Sequence, residues 1–125
     1  MEGKIRSFTQ LQAWKDSHSL VLLIYQATKL FPREELYGLT SQLKRAAVSI
    51  SSNIAEGFGR QYYKEKIQFY FLSKGSLTEV QNQLLIARDI GYLEAKDFLA
   101  LANQTVKVSK ILAGLIKKSR TISDS

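Results

Sequence analysis

The sequence contains no cysteine, one histidine and one proline. Without cysteine, disulfides, thiolate nucleophiles and zinc–thiolate sites are excluded, and the composition fits a reducing compartment. One histidine is too few for the two-metal carboxylate chemistry of helical bundles, which takes Glu-x-x-His pairs from two helices. His18 also has Lys15, not a glutamate, three residues before it. Lying on an apolar helical seam, His18 reads as a hydrogen-bonded core residue. Long apolar runs are missing too. The longest, Leu20 to Tyr25, falls far short of a membrane span, and the polar opening MEGKIRSFTQ leads into no signal-peptide core. Gly57-Phe58-Gly59-Arg60 begins like a dinucleotide loop, but Tyr62 stands where the third glycine belongs and no strand precedes it. The expectation is a cytoplasmic protein with no membrane association, no metal, no cofactor and no catalytic residue.

Strand-like alternation of apolar and polar residues is absent as well, and what is present is helical periodicity throughout. At 125 residues the chain makes one domain, long enough to bury roughly two-thirds of its unfolded surface. Four helices are expected, over about 11–30, 40–58, 62–90 and 94–118, with polar, frayed ends. Trp14, His18, Val21, Tyr25 and Thr28 form the expected seam of the first helix, which Phe31-Pro32 ends. The second is rich in small residues. Leu43, Ala47, Ile50 and Ile54 line one face with Ala46 and Gly57 at its edge, so neighbouring backbones can come close. The third, about 40–45 Å long at 1.5 Å per residue, has its seam at Phe69, Leu72, Ser76, Gln83, Leu84 and Ala87. Further apolar residues sit elsewhere on its cylinder, which points to self-association. Gly75 within it predicts a close helix crossing, and Gly91 predicts a left-handed cap. Phe98, Leu101, Thr105, Val108, Leu112, Leu115 and Ile116 form the core face of the fourth. Short connections between four helices make this an all-α, antiparallel up-down-up-down four-helix bundle in a single domain.

The charge is unevenly placed. Residues 99–125 carry five Lys/Arg against one acid, more than half of the +7 total. Lys107, Lys110, Lys117 and Lys118 gather with Lys96 on the side opposite the core of the fourth helix, as a polyanion-binding face would. A second basic stretch, Arg60 to Phe71, interleaves Arg60, Lys64 and Lys66 with aromatics, the mixture that binds single-stranded nucleic acid. Arg45, Ser49, Ser52, Asn53 and Glu56 form a polar stripe on the second helix. Together with Tyr70 and Phe71 they are the expected contacts between subunits.

Several short signatures are spread along the chain: Trp14 with His18 and Tyr25; Phe31-Pro32 followed by Glu35, Tyr37 and Leu39; Gln42 with Arg45-Ala46-Ala47 and Ser49-Ile50; Asn53-Ile54-Ala55-Glu56-Gly57 with Arg60; Phe69 and Leu72; Gly75-Ser76-Leu77 with Glu79; and Gly91-Tyr92-Leu93. Together, over about Trp14 to Leu93, they resemble the small four-helix-bundle proteins encoded in intervening sequences of bacterial 23S ribosomal RNA genes. The resemblance implies a bundle assembled into a ring, a homopentamer. It extends distantly to the accessory protein of diversity-generating retroelements, a basic pentameric barrel associated with RNA and a reverse transcriptase. No catalytic residue carries over, because the family has no established biochemical activity. One departure is Gln61-Tyr62-Tyr63, where a Ser or Thr cap often opens the third helix. The leading expectation is a non-enzymatic homo-oligomer binding RNA or a ribonucleoprotein through its basic surface. The alternative is a structural or protein-docking oligomer with no nucleic-acid activity.

Overall fold

A computed structural model describes residues 4–125; the first three residues of the polar opening lie outside the described residues. Four helices follow in order: α1 (Gln12–Thr28), α2 (Leu39–Phe58), α3 (Tyr63–Asp89) and α4 (Ala95–Ser123), with single 3-10 turns at Phe8–Gln10 and Arg33–Glu35. Among the described residues there is no strand. The turn before α1 is closed by a reciprocal cap: Ser7 Oγ accepts from the Thr9 amide at 3.2 Å, and Gln10 Oε1 accepts from the Ser7 amide at 3.0 Å. Tyr62 opens α3 without any side-chain cap.

The four helices bury one apolar core that includes Leu20, Ile24, Leu43, Ile50, Ile54, Leu84 and Leu112. On α2 the buried face is the expected one, Leu43, Ala46, Ala47, Ile50, Ile54 and Gly57. Gly57 lets α3 approach closely: a Cβ there would stand 2.7 Å from the Tyr70 ring and 2.9 Å from Phe69 Cβ. Hydrogen bonds and ring contacts cross between neighbours along their lengths. Lys66 Nζ donates to the Phe58 carbonyl, Ser73 Oγ donates to Ile50 O at 2.8 Å, and Ser49 Oγ meets Ser76 Oγ at 2.9 Å. Between α3 and α4, Arg88 lies over Phe98, Gln81 bonds Thr105, and Arg120 lies over Phe71. Gln104 of α4 donates to Asp16 O of α1 at 2.8 Å.

Two seams differ from the sequence expectation. On α1 the buried residues are Ala13, Asp16, Ser17, Leu20, Ile24 and Thr28, not Trp14, His18, Val21 and Tyr25. The run Leu20–Tyr25 is apolar all round and fixes no face. Small Ala13 and Ser17 turn inward, and the Ser17 hydroxyl is satisfied by Ala13 O at 2.7 Å. His18 is therefore an exposed residue, stacked on Trp14 with ring centroids 4.7 Å apart. On α3 the expected Gln83, Leu84 and Ala87 are buried, but the first half of the seam is Tyr70, Ser73, Leu77 and Val80 in place of Phe69, Leu72 and Ser76. Leu72 stays 57% exposed. Ser73 takes the inward place because the Ile50 carbonyl receives its proton.

Gly75 is exposed with nothing within 4 Å of a Cβ, so within the chain it marks no close crossing. Gly91 does carry the left-handed backbone, φ +89°, and closes α3 as a Schellman turn: the Tyr92 amide donates to Ala87 O at 2.8 Å and the Gly91 amide to Arg88 O at 3.1 Å. Tyr92 then donates to Glu35 Oε2 at 2.8 Å, while Glu35 Oε1 accepts from the Leu39 amide at the start of α2 at 3.1 Å. These two bonds, the amide first, hold the Glu35 carboxyl below its ordinary range. At the other end α4 runs to Ser123 instead of fraying after Lys118, with Ser119 buried and Arg120 over the Phe71 ring.

Candidate nucleic-acid interface

On α4 the helical repeat that turns Leu101, Thr105, Val108, Leu112 and Ile116 inward leaves Lys96, Lys107, Lys110, Lys117 and Lys118 exposed on the other side. Among the described residues no carboxylate lies within ion-pair distance of Lys110, Lys117 or Lys118. Lys107 differs. Its Nζ lies 3.7 Å from Asp16 Oδ1, whose side chain is only 8% exposed and also accepts from Gln12 Nε2 at 2.9 Å. A nearly buried carboxylate needs such partners, so part of the Lys107 charge is committed inside the chain.

The Arg60–Lys66 stretch is more internally satisfied than its composition suggests. Arg60 sits 4.5 Å over the Phe69 ring and 4.0 Å from Glu56. Lys66 donates to the Phe58 carbonyl, where α2 leaves backbone acceptors unsatisfied, and lies near the Phe58 and Tyr63 rings. Burial there lowers its pKa. Lys64 alone of the three is exposed without such a contact among the described residues.

The polar stripe of α2 divides in the same way. Arg45, Ser52 and Glu56 are exposed. Ser49 and Asn53 are half-buried: Ser49 bonds Ser76 of α3, and Asn53 Nδ2 donates within α2 to the Ser49 carbonyl and hydroxyl at 2.9 and 3.1 Å. The assignment of Tyr70 to a subunit contact is corrected. It is 2% exposed within the chain's own core, pressed against Gly57, and burial together with nearby Tyr63 pushes its phenol up to about 12. It has no surface left for a second subunit. Phe71 is 37% exposed, with Arg120 at 5.0 Å and Lys74 at 5.8 Å from its ring centroid.

Lys74 and Arg120 are therefore functional candidates that the sequence reading passes over. Lys74 carries a detectable signal, since it follows Phe71 by three residues on a helix. Arg120 carries none, because its role depends on where α4 lies against α3. Among the described residues no group of three or more His, Asp or Glu is placed to hold a metal ion, and no helix is long and apolar enough to cross a membrane.

Among curated proteins none matches this chain. Among solved structures, the fold is similar to a protein of unknown function from the S23 ribosomal protein family of Bacteroides thetaiotaomicron VPI-5482. The TM-score is 0.76 at 18% identity, covering 84% of this chain and 95% of that one. Residues 9–114 match the 23S rRNA-intervening sequence protein family. With a four-helix fold and a match over most of its length, the chain belongs to that family.

Proposed function

We propose that the chain is a non-enzymatic, antiparallel up-down-up-down bundle that self-associates into a ring, a pentamer on the family resemblance. In the cytoplasm it holds RNA or a ribonucleoprotein on the outer face of α4. The observation that carries this reading is the run of exposed lysines, Lys110, Lys117 and Lys118, with no carboxylate beside them among the described residues. Unpaired cations at helical spacing are what a phosphate backbone needs, and they offer no base-edge readout, so binding selects weakly for sequence. The antiparallel order is supported by the cross-contacts, where rising positions in one helix meet falling positions in the next, as in Phe58–Lys66 and Ser49–Ser76. Self-association is supported by Leu72, Ile86 and Ile90, exposed apolar residues off the buried seam of α3.

The same apolar residues favour the second reading, a protein-docking oligomer whose charge serves solubility alone. Filter binding separates the two. The combined variant Lys110→Glu, Lys117→Glu, Lys118→Glu leaves Lys107 and its bond to Asp16 intact. Low-salt retention of a structured RNA by the native protein, lost in this variant, is the expected result. No retention, or equal retention by both proteins, overturns the RNA reading.

A further inference from the structure

Between the first half of α3 and the last turns of α4 lies a groove of about 610 Å³, within the size range of small-molecule sites, about 300–1,000 Å³. Leu77, Leu112 and Ile116, all nearly buried, form its floor; Phe71 is one wall; Lys74, Lys117 and Arg120 stand around it. Among the described residues none of these three cations has a carboxylate within ion-pair distance. Asp124 is the one acid lining it.

We propose that this groove holds a nucleoside phosphate unit of single-stranded RNA, the base against Phe71 and the apolar floor and the phosphates on Lys74, Lys117 and Arg120. The inference rests on the RNA reading and narrows it to one place and one form of the ligand. A bare cationic face attracts any polyanion, and a bare apolar groove any greasy segment. Here a flat aromatic ring, an apolar floor and three cations share one concavity. Arg120 and Lys74 lie 5.0 and 5.8 Å from the Phe71 ring centroid, so an arriving base takes their place on the ring and they turn to its phosphates, which suits a ligand whose planar face and negative charge lie a few bonds apart. Base stacking on an aromatic side chain requires a base whose face is free, so a duplex cannot satisfy the site. Thr121 adds a hydroxyl at the lining, one turn from Lys117 and next to Arg120. Thr121 Oγ1 already donates to Lys117 O at 3.0 Å and so meets a ribose hydroxyl as an acceptor.

The test is fluorescence anisotropy with a labelled, unstructured octaribonucleotide, run beside filter binding of the structured RNA. Phe71→Ala is expected to weaken octamer binding roughly 5- to 150-fold, the range for loss of one stacked base, and Phe71→Tyr to retain it. Arg120→Ala should weaken binding, and Asp124→Asn should tighten it by removing the acid. Circular dichroism of each variant should show unchanged helix content, since Phe71 and Arg120 are both partly open to solvent. Competition separates the sources of the ligand chemistry: unlabelled octamer should displace the probe, whereas AMP, inorganic phosphate and the same octamer as a duplex should not at equal concentration. Unchanged binding by folded Phe71→Ala and Arg120→Ala proteins overturns the groove but leaves the lysine face standing. Displacement by AMP at equal concentration assigns the groove to a free nucleotide and overturns the RNA assignment. If the native protein binds neither RNA, the broader reading itself fails.

Discussion

One added methyl group measures how tightly α2 and α3 are held together. Gly57→Ala would place a Cβ 2.7 Å from the Tyr70 ring, a ring fixed in the core that cannot swing away. Overpacking of this kind costs about 1–3 kcal/mol, read as a lower urea midpoint at unchanged slope. Gly75→Ala on the exposed side of α3 meets nothing, so it should gain about 0.5–1 kcal/mol from helix propensity. The opposite signs of the two substitutions separate close packing from the generic cost of a helical glycine. Glu35 offers a second residue-scale test. Its carboxyl is held low by the Leu39 amide and then by the Tyr92 hydroxyl, so the folded state binds its proton less readily than the unfolded chain. Its contribution is therefore present above the unfolded value near 4.5 and disappears as pH falls through the lower folded value. Thermal melts at stepped pH should show native stability declining through that acidic window, and Glu35→Gln should flatten this part of the decline.

At the scale of the helices, the sequence reads well where pattern is one-sided. The small residues of α2 and the lysine-backed face of α4 sit where their spacing puts them, because each helix has one apolar face and one polar face. On α1 the unbroken run Leu20–Tyr25 favours no face, and on α3 Tyr70 and Ser73 look peripheral until the Ile50 carbonyl and the Gly57 gap are seen beside them. The exposed cations of the candidate site were legible for the same reason as the core of α4. The meeting of Phe71, Lys74 and Arg120 was not, because it joins positions on two helices whose relative placement no local pattern encodes. The turn from α3 to α4 was legible in one glycine. Gly91→Ala forces a side chain into a left-handed backbone and should cost about 1–2 kcal/mol, while Gly91→Asn should cost less. Denaturant melts of the pair check this ordering.

For the whole molecule, the contact of Arg120 with Phe71 and of Lys66 with Phe58 brings the end of α2, the start of α3 and the end of α4 to one end of the bundle. Arg60, Lys64, Lys66, Lys117, Lys118 and Arg120 collect there and outnumber Glu56, Glu65 and Asp124, whereas around the opposite turns Glu34, Glu35, Asp89, Glu94 and Asp97 outnumber Lys29, Arg33, Arg88 and Lys96. A polyanion approaching such a molecule is steered toward the basic end. In the proposed assembly a second copy covers the apolar residues on the outside of α3, and light scattering at micromolar concentration is then expected to give a mass several times the 14.2 kDa protomer, five times for the ring. A mass of one protomer would remove assembly from the account.

The most direct test of the central claim, that the lysine face of α4 holds RNA by its phosphates, is the salt dependence of structured-RNA affinity. Between about 50 and 200 mM salt, log affinity should fall linearly with log salt, by about 0.7–0.9 for each phosphate neutralised. The Lys110, Lys117 and Lys118 to Glu variant should lose at least two such contacts from the slope. An affinity indifferent to salt, or a slope that the three substitutions leave unchanged, would contradict it.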